Sequence, residues 1–282
     1  MSADPRLSGD PARRVGDLAD DIAPYHRQYE ADRDSRAVFA FAYYNLTLDL
    51  AEWLSADADS FDDPSWVADL AVAFGDRFQA AMDAIDELER AGGSDAVDDD
   101  ALAETVSRPW ADVYRAICRE RSTVIEDLVF SIGAHITYDL PHALLAVDTG
   151  VDRLADYHLM NEVLASRTDA IQDAVTARYN RPMARLDRLA GGADEVFTNY
   201  WMRIGRSLAW YNAMRLSSPN SHDEAEGSIE RSTAGLVESV RGGHWIVRSG
   251  LRVSRVVVSL TRQWPTPPLS AADERPPEEV RW

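Results

Sequence analysis

The sequence contains no lysine, so all 29 of its basic residues are arginine, set against 48 acidic ones. The formal charge is −19. A surface so rich in carboxylates repels phosphate, which argues against nucleic acid as a general partner. Acidity with arginine in place of every lysine suggests adaptation to high salt, where screening removes self-repulsion and carboxylates hold water. Cysteine occurs once, at Cys118, which excludes an internal disulfide. Its surroundings, Tyr114-Arg-Ala-Ile-Cys118, read as an apolar helix face, where a thiol packs as a small hydrophobe rather than acting as a nucleophile. No run of about 18 apolar residues occurs, so no membrane-spanning helix is expected. The opening Met1-Ser-Ala-Asp-Pro5 lacks the charged-then-apolar pattern of a secretory leader, and a cytoplasmic location is the expectation. A phosphate-cradling glycine loop, a dinucleotide fingerprint and a Gly-x-Ser-x-Gly turn are also missing, which leaves no motif for nucleotide binding or serine hydrolysis.

Strand patterns are absent too. Val256-Val257-Val258 is the best β candidate and is too short to build a sheet. Helical periodicity is abundant instead, and the chain reads as all-α: a single multi-helix bundle over residues 10–216 with a kinked, buried central helix. The first helix is expected to end before Pro24, the second to run over residues 34–55, and the third to start at Asp63-Pro64 and stop at Gly92-Gly93. Residues 92–103 read as an acidic surface loop. Thr123 with Glu126 resembles a capping box opening the central helix, and Pro141 inside that helix predicts a kink that frees the Thr137 carbonyl. Later helices are expected over 156–166, 168–179, 181–189 and 194–216. Residues 1–9 read as disordered, 217–228 as a polar linker, 229–262 as a C-terminal helical segment and 263–282 as a proline-rich tail. From His244 to Arg262 no acidic residue occurs, and Arg248, Arg252, Arg255 and Arg262 share one face. Such a basic amphipathic helix suits docking on the acidic body, self-association with a second copy, or contact with an anionic membrane surface.

One stretch stands out chemically. In Ser131-Ile-Gly-Ala-His135-Ile-Thr-Tyr-Asp139-Leu-Pro-His142, the residues His135, Asp139 and His142 fall at i, i+4 and i+7 inside an apolar run. Two imidazoles and a carboxylate on one helix face are what a zinc or iron site requires, given a further donor. His158 and Glu162, themselves i and i+4, are the natural candidates for that donor, so a divalent metal is one expected cofactor. Without metal, a buried His–Asp pair ties helices together, or serves acid/base chemistry with His135 and Asp139 as the catalytic residues. Asn45, among aromatics in the second helix, is a candidate buried hydrogen-bonding group. The aromatic stretch carrying Trp201, Arg206 and Trp210 reads as core or as the wall of a pocket for an apolar or anionic ligand.

The string Ala134-His135-Ile136-Thr137-Tyr138-Asp139-Leu140-Pro141-x-Ala143-Leu144 occurs with Tyr44-Asn45-x-Thr47, Asp156-Tyr157-x-x-Met160-Asn161 and Arg206-x-x-Ala209-Trp210. In this order they resemble an uncharacterised helical family, domain of unknown function 5995, over residues 35–216. The resemblance implies a site around His135 and Asp139, with Asn45, Asn161, Arg206 and Trp210 as neighbours, and implies no reaction. This chain departs from the family pattern at Gly133, where an Asn is usual, and at His142, where an apolar residue is usual. A looser likeness of His-x-x-x-Asp to helical zinc-dependent phospholipases and nucleases is an analogy only. The leading expectation is therefore a non-catalytic ligand-binding or scaffold protein, with a metal-dependent hydrolase or oxygenase-like enzyme as the alternative.

Overall fold

The computed structural model describes residues 9–92, 97–119, 122–180, 193–241 and 262–265, and among these every regular element is helical. Helix α1 spans Pro11–Asp32, opened by Asp10, whose side chain accepts from the Arg13 N–H. The expected stop before Pro24 does not occur, because Pro24 and Asp20 both lie on the exposed face. The carbonyl that the proline leaves without a donor belongs to Asp20 and faces water, so the helix continues. Helix α2, Arg36–Asp57, runs antiparallel to α1 through a tight turn at Arg33, which adopts the left-handed conformation at φ 57°. Every residue from Arg36 to Asn45 is buried. Such a helix is apolar all round because it is surrounded, and α2 rather than the His135 helix is the axis of the bundle.

Helix α3, Pro64–Gly92, starts where the Asp63 carboxylate accepts from the Trp66 N–H at 3.0 Å. The acidic tract expected to be a loop holds a short helix, α4, Asp99–Thr105, capped by Asp98. Asp99 also binds Arg115 at 2.7 Å and Arg119 at 2.8 Å, so this tract holds the next helix rather than only facing solvent. Helix α5, Arg108–Tyr114, ends in a π-helical turn at Arg115–Arg119. The Thr123–Glu126 capping box is present in full and opens α6, Val124–Ala134.

The chain then widens into a second π-helical turn, His135–Asp139, before α7, Leu140–Ala146. The expected kink at Pro141 takes this form. The Leu140 N–H reaches back five residues to the His135 carbonyl, and Pro141 sits at the start of α7, where it needs no donor. Helix α8, Leu154–Tyr179, is continuous where two helices were expected. Helix α9 is Ala193–Leu216 and α10 is His222–Arg241. The polar linker expected over 217–228 is thus a turn of residues 217–221, after which α10 packs back on α9, α5 and the His135 turn. The expected helix over 181–189 and the basic segment 244–262 lie outside the described residues, apart from Arg262.

Two buried ionic knots hold the helices together. Arg36 binds Asp34 at 2.6 Å, Asp86 at 2.7 Å and Glu89 at 2.7 Å, with its guanidinium 4.3 Å above the Tyr29 ring. Glu30 accepts from Arg178 Nε at 2.5 Å and from the Tyr179 hydroxyl at 2.6 Å, and His26 Nε2 lies 3.0 Å away. Residues 262–265 lie on this body: Arg262 pairs with buried Asp127, and the Trp264 ring meets Tyr179 at 6.0 Å. Among the described residues no helix is long and apolar enough to cross a membrane.

Candidate functional site

The π-helical turn places His135 and Asp139 in the interior. His135 Nδ1 lies 2.8 Å from Asp139 Oδ2, and that same oxygen accepts from the Trp110 indole N–H at 2.8 Å. Arg77 Nε approaches Asp139 Oδ1 at 3.6 Å. Because a carboxylate oxygen only accepts, the imidazole proton is assigned to Nδ1, and Nε2 is left as a bare acceptor. His135 is 3 % exposed and Nε2 has no hydrogen-bond partner. A buried acceptor without a donor costs about 1–3 kcal/mol. Burial pushes the His135 pKa below its ordinary value, outweighing Asp139, and Arg206 and Arg77 push it the same way. The ring is therefore neutral at neutral pH.

Aromatic rings from α2, α3 and α5 enclose this imidazole. Phe74 stacks on it at 3.6 Å with an interplanar angle of 10°, while Tyr43 at 4.6 Å and Phe39 at 5.5 Å meet it edge-on. A cavity of about 90 Å³ opens beside it, walled by Leu18, Phe39, Tyr43, Leu70, Phe74, Leu140 and Met160 among others. Among these lining residues only Tyr43, Thr47, His135 and Arg206 carry a side-chain nitrogen or oxygen. Thr47 spends its hydroxyl on the Tyr43 carbonyl at 2.8 Å. Arg206 is 6 % exposed and donates through Nε to Asn161 Oδ1; no carboxylate among the described residues pairs with it. Burial lowers its pKa, and the groups that partly offset this are the Tyr157 and Tyr43 phenols.

The structure brings together some of the expected residues and separates others. His135, Asp139 and Arg206 share the site, and Asn161 joins it through Arg206. Trp210 lies behind Arg206, its ring 4.9 Å from Tyr157, whose hydroxyl donates to the Arg206 carbonyl at 2.7 Å. Asn45 is buried but spends its amide on the Phe41 carbonyl at 2.8 Å in its own helix. The side chain of Trp201 lies outside the described residues.

The metal set does not assemble. A π-helical turn carries more residues per turn than an α-helix, so i and i+7 no longer share a face. His142 points elsewhere, bonded to the Tyr138 carbonyl at 2.6 Å and to Glu226 Oε2 at 2.8 Å. His158 and Glu162 are exposed on the outer face of α8. Among the described residues no three His, Cys, Asp or Glu side chains are grouped to hold a metal ion. Cys118 is partly buried with its thiol pushed well above the ordinary range by burial, which leaves no nucleophile there.

Trp110, Phe74 and Arg77 are central to the site and were not singled out from sequence. Trp110 lies in the first turn of α5, and the other two lie on α3 with nothing in their neighbourhood to mark them.

The profile of DUF5995, a family of unknown function, matches residues 15–241. The chain belongs to this family. The match takes in most of α1 and all of α10, beyond the expected 35–216, in keeping with the packing of α10 against the His135 turn. No curated protein and no solved structure matches the chain.

Proposed function

We propose that this DUF5995 member is a non-catalytic ligand-binding protein whose ligand occupies the cavity between His135 and Arg206. One observation carries the reading: an apolar cavity is lined by two buried residues, His135, whose Nε2 has no hydrogen-bond partner, and Arg206, with which no carboxylate among the described residues pairs. Asn45, Thr47 and Arg36, by contrast, are satisfied within the protein, although a few buried groups away from the cavity, Trp66 Nε1 among them, also lack a partner. A few convergent polar groups in an apolar cavity are the usual composition of a small-molecule site. The test is a fragment screen by ligand-observed NMR on the full chain and on Ala71→Leu, which fills the cavity from α3. Fragments that bind the wild type and are lost in the variant support the reading. Absence of any fragment that distinguishes the two refutes it.

A second reading is favoured by the Trp110–Asp139–His135 chain, in which a carboxylate orients a neutral imidazole and leaves Nε2 as a general base. Conversion of a bound fragment by the wild type and not by His135→Gln is the outcome this reading expects.

A further inference from the structure

Asp127 lies in the first turn of α6 with none of its surface exposed, and among the described residues the cation that pairs with it is Arg262. A carboxylate in that position is strongly disfavoured unless a cation and hydrogen bonds reach it. Arg262 comes from beyond the family-matched region, which ends at residue 241, while the groups it donates to lie within that region. One terminal nitrogen of its guanidinium donates to Asp127 Oδ2 and to the Ser122 carbonyl at 3.2 Å, and the other donates to Ser35 Oγ at 2.6 Å. Acceptors from the start of α2 and the start of α6 thus converge on one side chain. A guanidinium is a rigid planar array of donors that can meet several acceptors at once, whereas a lysine ammonium is a point charge on a flexible stem.

The next two residues extend the contact. The Gln263 N–H donates to the Tyr179 carbonyl at 2.8 Å. Tyr179 is the last residue of α8, so that carbonyl has no donor within the helix. The Trp264 ring meets the Tyr179 ring edge-on at 6.0 Å, and the Arg262 guanidinium lies 5.7 Å from the Trp264 ring. Residues 262–265 form no regular element of their own. They are held by an inserted side chain, a main-chain hydrogen bond and a ring contact, as a peptide is held in a recognition site.

We infer that Asp127, Ser35, the Ser122 carbonyl and Tyr179 form a recognition site for an Arg-x-Trp peptide, which residues 262–265 occupy as a tethered ligand and which the same segment of a second copy can occupy in trans. None of these four residues lines the His135 cavity, so the inference stands apart from the ligand-binding reading.

The experiment uses the full chain and a fluorescent peptide of residues 260–268. It is run at about pH 8, because burial pushes the Asp127 pKa up to about 7 and the contact needs the ionised form. A full chain carrying Arg262→Ala and Trp264→Ala leaves the site vacant. It is expected to bind the peptide about ten-fold or more tightly than the wild type, where the tethered copy competes at an effective concentration of about millimolar. Asp127→Asn added to the vacated chain, or alanine at the arginine position of the peptide, is expected to weaken binding by about ten-fold or more. A folded vacated chain that binds no peptide overturns the inference, as does equal binding by the wild type or binding indifferent to the peptide's arginine. Should the vacated chain fail to fold, wild type labelled with 5-fluorotryptophan decides. Its Trp264 resonance is expected to shift with several millimolar peptide and to stay in place with the alanine peptide. A resonance that responds to both peptides or to neither overturns the inference.

Discussion

At the scale of single residues, the interior contains charges in two states, matched and unmatched. Glu30 is matched. Burial alone would raise its pKa, but hydrogen bonds from His26, Arg178 and Tyr179 outweigh that and hold it at about 2. A carboxylate whose folded pKa lies below its unfolded value adds stability above the ordinary carboxylate range, and that stability is lost as pH falls toward the folded value. Glu30→Gln is therefore expected to lower Tm at pH 7 by roughly 6–12 °C, the equivalent of about 3 kcal/mol for a broken buried pair. The gap between variant and wild type should narrow as pH falls from about 4 toward 2. A gap that stays constant across thermal melts in that window would show that Glu30 acts by packing and not by charge. Arg206 is matched only by Asn161 and the Tyr157 ring, with no carboxylate among the described residues, and Nε2 of His135 has no hydrogen-bond partner. Arg178 and Tyr179 donate to Glu30, whereas no carboxylate among the described residues pairs with Arg206 and none of them donates to that nitrogen, which supports the reading of the site as a place for a ligand.

At the scale of elements, the π-helical turn His135–Asp139 and the approach of α9 build the site together. Gly205 makes that approach possible, because a Cβ there would stand 3.2 Å from Ile136 Cγ2 in the turn. A larger side chain would push α9, and Arg206 with it, away from His135. Gly205→Leu is expected to cost about 1–3 kcal/mol through overpacking and to weaken ligand binding as well. Thr123→Ala, which removes the cap of α6, should cost about 1 kcal/mol and leave binding unchanged. Equal binding by both variants would remove α9 from the account of the site. The capping box, the Asp63-Pro64 start and the His135–Asp139 pair were all legible in the sequence, since each is set by neighbours within one or two turns. The widening of the helix was not legible. Pro141 announced an irregularity, but whether it became a break, a kink or a wider turn depended on what α2, α3 and α9 press against it.

At the scale of the whole molecule, the charge of −19 and the absence of lysine lead to a prediction about stability in salt. Between 0.1 M and 1 M salt the Debye length falls from about 10 Å to about 3 Å, so repulsion between surface carboxylates is largely removed. Tm is expected to rise with sodium chloride over that range, and a melting temperature that is flat or falls would contradict the reading of the composition as an adaptation to salt.

What the sequence by itself determined is what local rules govern. These are the all-α class, most helix starts, the acidic surface, and the His135–Asp139 pair, because i and i+4 in a helical chain meet whatever else surrounds them. Only the tertiary structure decided that Trp110 completes the pair, that Phe74 and Tyr43 cage the imidazole, and that His142, His158 and Glu162 face elsewhere. It also decided that Arg206 shares the cavity with His135. Those contacts join helices far apart in the chain, and which faces meet follows from how whole apolar surfaces pack rather than from any spacing within one helix.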